Sequence, residues 1–164
     1  MIHVKKILVT TDLSDESRTA MEYAEWLASI EHSTVTLLYC VDNIPSVAYH
    51  TVDLTFDKFH AELLKQEQHR LNAFADSLHK AVKLKFDVVM VEGNASRMII
   101  RYAEKHKFDF IVMNTHGRTG IQHAVLGSIS EKIVRQAPCP VITIRSTTKK
   151  KNSHKVSHKK AVTH

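Results

Sequence analysis

No run of apolar residues in the 164-residue chain is long enough to span a membrane, which excludes a helical membrane anchor. Residues 1–6 pass directly into a strand-like segment, without the long apolar stretch and cleavage site of a secretory leader. Only two cysteines occur, Cys40 and Cys139, in different expected elements. Their separation fits reduced thiols in a cytoplasmic location better than a disulfide framework. The twelve histidines are scattered and form no Cys/His cluster at zinc-binding spacing. There is no G-x-x-x-x-G-K-[ST] phosphate loop and no G-x-G-x-x-G fingerprint. Acidic residues are missing altogether from 146 onward, where six lysines stand. Subtracting them from the net charge of +6 leaves residues 1–145 neutral. The basic character therefore belongs to a tail, residues 146–164, whose composition predicts disorder. Such a tail can attract nucleic acid weakly and without sequence preference.

What remains is a chain of ordinary apolar content, 43%, sized for one domain. Apolar β-branched runs at 4–10, 34–41, 84–91, 108–113 and 140–145 read as five strands. Between them lie helical patterns. Ser14 is the expected cap of a first helix carrying Met21, Ala24, Leu27 and Ile30. Phe56, Phe59, Leu63, Leu71, Phe74 and Leu78 mark a long second helix, preceded by a loop at 42–53. Asn94 is the expected cap of a helix over 95–106, and Gly127-Ser128 opens a last helix to about 136. Alternating strands and helices predict an α/β fold, an open, doubly wound parallel sheet of five strands. Near-continuous apolar strands agree, because such a sheet is buried on both faces.

Ligands in such folds bind beyond the carboxyl ends of strands, where strand order reverses. With the first strand central, Thr10-Thr11-Asp12 and the segment starting at Asn114-Thr115-His116-Gly117 face one crevice. Gly127-Ser128 begins a helix whose first-turn N–H groups and dipole make an anion site. The same Ser128-x-x-Glu131 is equally a capping box serving only its own helix. Asp12 reads either as a ligand or as a turn residue ahead of Ser14. His116, Arg118 and His123 in the glycine loop read as phosphate contacts or as solvated side chains. Ser128 has no G-x-S-x-G elbow around it, which argues against a nucleophile.

Over residues 1–145 the chain resembles the universal stress protein family. The resemblance rests on four segments, in order: Lys6-Ile7-Leu8-Val9-Thr10-Thr11-Asp12-Leu13-Ser14; Val91-Glu92-Gly93; Asn114 through Gly117, nine residues, then Gly127-Ser128; and Ala137-Pro138-Cys139-Pro140-Val141. The family's motif is G-x-x-G, nine residues, G-[ST]; here Asn114 replaces the first glycine. Thr10 stands where many ATP-binding members have proline. The resemblance implies strand order 3-2-1-4-5 and an adenine nucleotide, ATP, ADP or AMP with Mg²⁺, as ligand. Thr11 and Asp12 then lie near the ribose, with Asp12 near the metal, and the backbone at Cys40 meets the adenine. Gly117, Gly127, Ser128 and Ile129 hold ribose and phosphates, and Asn114 places a side chain near the ribose. The resemblance further implies a homodimer paired through residues 141–145, and a nucleotide-responsive stress or regulatory role. A slow ATPase and a nucleotide-free interaction protein are the alternatives. An adenylate-handling enzyme ranks below these, since the chain lacks an S-G-G-x-D-S loop and an evident general base.

Overall fold

The computed structural model describes residues 3–43, 56–115 and 126–145. The expected 42–53 loop beyond residue 43, the glycine loop from His116 to residue 125, and the basic tail lie outside these. The elements run β1 (Lys6–Thr11), α1 (Arg18–Glu31), β2 (Thr34–Val41), α2 (Phe56–Ala81), β3 (Phe86–Glu92), α3 (Ala95–His106), β4 (Phe110–Asn114), α4 (Ser128–Gln136) and β5 (Val141–Ile144). All strand pairs are parallel, in the order β3-β2-β1-β4-β5. This is the expected doubly wound sheet, with β1 at its centre.

Two cores sandwich the sheet. On one face Ala20, Met21, Ala24 and Ala28 of α1 and Leu71, Phe74 and Leu78 of α2 pack on Ile7, Val9, Val35 and Leu37. On the other, Ile99 and Ala103 of α3 and Ile133 of α4 pack on Leu8, Leu38 and Ile111. Adjacent strand residues thus point into opposite cores, which is why the central strands read as unbroken apolar runs.

Two helix expectations need correction. Ile30 is 55% exposed and not in the core. Each step of three residues falls about 60° short of a full turn, so Met21, Ala24, Leu27, Ile30 walk around the helix. The buried stripe follows the four-residue spacing of Ala20, Ala24 and Ala28 instead. Phe59 is exposed for the same reason, lying off the face set by Leu71, Phe74 and Leu78. Ser17 stands just before the first residue of α1 without a side-chain cap bond, while Ser14 Oγ accepts from the Ser17 N–H (3.3 Å), so the expected cap Ser14 caps the turn that leads into the helix. Residues 14–19 first make a tighter turn, with Ser17 N–H bonded to the Ser14 carbonyl (3.2 Å), Arg18 N–H to Asp15 (3.2 Å) and Thr19 N–H to Glu16 (3.3 Å). The other expected cap is observed: Asn94 accepts from the Arg97 N–H.

Among the described residues no helix is long and apolar enough to cross a membrane.

Candidate functional site

The carboxyl ends of β1, β2 and β4 open into a cleft of about 470 Å³, closed by the start of α4 and by residues of α2 and α3. It lies where the order reverses between β1 and β4. Thr11, Asp12, Cys40, Asn114, Gly127, Ser128 and Ile129 all line it. Seven of the eight residues picked out in the sequence therefore share one cavity; the eighth, Gly117, lies outside the described residues, as do His116, Arg118 and His123.

The β1 side is a small hydroxyl network. Thr11 Oγ1 accepts from the Leu13 N–H (2.9 Å) and pairs with Ser17 Oγ (2.7 Å). Ser17 Oγ in turn donates to the Ser14 carbonyl (2.7 Å). Asp12 Oδ1 accepts from both the N–H (3.0 Å) and the hydroxyl (2.6 Å) of Ser14. Asp12 is therefore a turn-forming residue and a cleft residue at once. Between Asp12 and Ser14, Leu13 adopts φ 65, a left-handed conformation that costs a non-glycine residue about 1 kcal/mol or more. The side-chain acceptors at Thr11 and Asp12 offset that cost and turn the chain away from the sheet, holding the Asp12 carboxylate at the cleft wall.

The β4–α4 side is built around carbonyls. Gly127 N–H donates to the Thr115 carbonyl (2.9 Å), and Ser130 Oγ donates to the Asn114 carbonyl (3.1 Å). Gly127 is the N-cap of α4, with extended backbone, and no side chain caps this helix. The capping-box reading of Ser128 and Glu131 is therefore not realised: Ser128 is already the first helical residue, and Glu131 accepts from Arg135. The N–H groups of Ser128, Ile129 and Ser130 have no acceptor within the helix, as in any first turn. A Cβ added at Gly127 would meet the Thr115 carbonyl oxygen at 3.2 Å. The glycine serves close packing of the helix start on the end of β4, without any need for a positive φ.

Asn114 lines the cleft and is tied to the start of α1. Its side-chain Nδ2 donates to the carbonyl of Glu16. It sits in β4, so strand backbone accommodates it without glycine-like angles.

The β2 side carries carboxylates. Tyr39 Oη donates to Glu67 Oε2 (2.6 Å), and Arg70 Nη1 donates to Glu67 Oε1 (2.6 Å). Asp42 lines the same end, with Ala95 and Ile99 supplying apolar wall. The Cys40 thiol is pushed up to about 12, first by burial and then by Asp42, so it stays neutral. Tyr39, Asp42, Glu67 and Ser130 were not picked out in the sequence. Glu67 follows Leu63 by four residues on α2, and that spacing was its only signal. Among the described residues no cluster of three His, Cys, Asp or Glu can hold a metal by itself.

The model of the universal stress protein family matches residues 3–145. The chain belongs to that family. Universal stress protein MJ0531 of Methanocaldococcus jannaschii is 33% identical over 145 residues, covering 88% of this chain and 84% of that protein. The universal stress protein UspA of Lactobacillus plantarum superposes with a TM-score of 0.64 at 26% identity, covering 88% of this chain and all of that one. A universal stress protein solved in complex with cAMP shares the fold at a TM-score of 0.63, with 17% identity over 89% of this chain.

Proposed function

We propose that this universal stress protein binds an adenine nucleotide, ATP, ADP or AMP, in the β1–β2–β4 cleft, and acts in the cytoplasm as a nucleotide-responsive stress or regulatory protein. The observation that carries this reading is the polarity of the cleft. At one end the first turn of α4 offers N–H groups and the positive end of a helix dipole. At the other stand acceptors, Glu67 and Asp42, beside apolar Ala95 and Ile99. An adenine nucleotide has the matching order of groups: anionic phosphates, a hydroxylated ribose, then a flat base with an amino donor.

Phosphate oxygens would accept from the N–H of Ser128 and Ile129, each charge-assisted bond worth about 1.5–3 kcal/mol before desolvation losses. Gly127 contributes shape, since its own N–H is engaged by Thr115. Thr11 supports from behind, its hydroxyl engaged with Leu13 and Ser17. The ribose would lie near Asp12, and the base along the β2 backbone at Cys40. Mg²⁺ would arrive on the phosphates, because Mg²⁺ needs only one or two protein carboxylates when phosphates supply the rest, and Asp12 at the cleft wall would supply one. The cAMP bound by a protein of the same fold supports an adenine ligand in this architecture. The biological unit in this reading is a homodimer joined through residues 141–145.

Titration calorimetry with ATP and Mg²⁺, repeated with ADP, AMP and GTP, tests the reading. Saturable heat with the adenine nucleotides and none with GTP is expected. No heat and no thermal stabilisation at millimolar ATP would overturn it.

A further inference from the structure

The outer face of α1 carries three large apolar side chains that the fold does not bury. Tyr23 is 50% exposed, Trp26 61% and Ile30 55%. Spaced three and four residues apart, they form one stripe along the helix. Aromatic and apolar groups aligned in this way mark an interaction surface more often than scattered single residues do.

The stripe is set among acids. Residues 15–31 contain Asp15, Glu16, Glu22, Glu25 and Glu31 against one base, Arg18, which is paired with Asp15 (2.9 Å). Glu22 is exposed beside Tyr23 and Trp26. The occupant this surface favours is therefore basic. The chain holds one concentrated basic segment, residues 146–164, with six lysines and no acid.

That segment begins in the right place. Ile144 pairs with Asn114, and its carbonyl accepts from the Thr115 N–H (2.9 Å). Asn114 in turn bonds the Glu16 carbonyl. The chain thus leaves β5 one strand away from Glu16, at the head of α1. The helix has 14 residues and is about 21 Å long. The 19 residues after Arg145 can extend to about 60 Å, so reach is ample.

We propose that the lysine-rich segment 146–164 docks on the Tyr23–Trp26–Ile30 stripe of α1 in the same molecule, with its ammonium groups over Trp26 and Tyr23 and against Glu16 and Glu22. Ammonium over an indole face gains from the ring quadrupole, and the lysine stems cover apolar surface. The nucleotide cleft takes no part in this contact.

Trp26 is the chain's only tryptophan and reports directly. Its emission and its quenching by acrylamide are compared among three proteins: the full chain, the chain ended after Arg145, and the full-length chain with Lys149, Lys150, Lys151, Lys155, Lys159 and Lys160 replaced by Gln. The last keeps the length if truncation disturbs folding, and circular dichroism checks both variants. At low salt the full chain should show a shifted emission and a smaller quenching constant than either variant. The difference should vanish near 1 M salt, where screening acts within about 3 Å. Glu22→Lys should reduce it in the full chain. Identical emission and quenching in all three proteins at low salt would overturn the proposal. A difference that grows with protein concentration would also overturn it, assigning the stripe to the segment of a second copy.

Discussion

Asn114 reaches across from β4 to the carbonyl of Glu16, joining the end of one strand to the turn that starts α1, 98 residues earlier in the chain. The family's glycine at this position could make no such tie. The side chain is thereby occupied in fixing the cleft floor, and its strand backbone needs no glycine. Asn114→Gly should cost about 1–2 kcal/mol of stability, from the lost hydrogen bond and the added backbone entropy. ATP affinity should stay level or fall. Denaturant midpoints and calorimetry on the same preparations check both halves. A gain in affinity would mean that Asn114 crowds the ligand.

Gly127 and Ser128 are neighbours with separable roles. Any Cβ at 127 presses on the Thr115 carbonyl at 3.2 Å. Gly127→Val should therefore displace the first turn of α4, costing about 1–3 kcal/mol in stability as an overpacked site does, and abolish nucleotide binding. Ser128 is the first helical residue and caps nothing. Ser128→Ala should change stability by under about 0.5 kcal/mol, as at an ordinary surface position. It should weaken ATP binding by about 1 kcal/mol if the hydroxyl meets the phosphate. Thermal melts with and without ATP separate the two effects. Equal loss of stability in both variants would remove the distinction.

Periodicity and turn chemistry made much of this fold readable beforehand. The bounds of β2 and α3 agree with the sequence reading residue for residue, because each is flanked by a clear signal, such as Asn94 before α3. Val4, Leu84 and Phe108 belong to the apolar runs that mark β1, β3 and β4 but precede the strands themselves. Val4 and Phe108 are buried and Leu84 packs on the core, and burial needs no ladder hydrogen bond. The cleft residues on β1, β4 and α4 were legible because topology brings those chain segments together whatever the side chains do. Glu67 was not, since only the docking angle of a 26-residue helix decides which of its residues reaches the cleft. The tie from Asn114 to Glu16 was equally hidden, because a glycine-replacing residue says nothing in sequence about where it points.

Cys40 gives the cleft a pH signature. Its thiol ionises near 12 in the fold against 9.0 ordinarily, through burial and the nearby Asp42. Between those values the unfolded chain releases a proton that the folded one keeps. Stability from this group is fully present below pH 9.0 and declines as pH rises, by at most about 1.4 kcal/mol per pH unit. Lysines and tyrosines also titrate there, so the comparison is with Cys40→Ala. The stability of the wild type should fall more steeply above pH 9 than that of the variant, as read by urea unfolding at stepped pH. Parallel curves would show that the thiol is not held neutral.

The edge strand β5 supplies the last test, of the homodimer. Along the β4–β5 pair, Ile111 N–H donates to the Pro140 carbonyl and Thr115 N–H to the Ile144 carbonyl. In a parallel ladder only alternate residues of a strand bond a given neighbour, so the N–H of Ile142 and Ile144 serve β4 and that of Thr143 faces the open edge. Ile142 also packs against the α1–α2 core, so altering it would damage the fold together with any interface. Thr143 is exposed and avoids that ambiguity. Thr143→Pro removes one outward donor and leaves the internal ladder whole, as proline is tolerated at sheet edges. If two copies pair edge to edge through β5, the wild type should sediment as a dimer at micromolar concentration and Thr143→Pro as a folded monomer. A wild-type monomer, or a dimer that survives the proline with its affinity unchanged, would place any self-association on another surface.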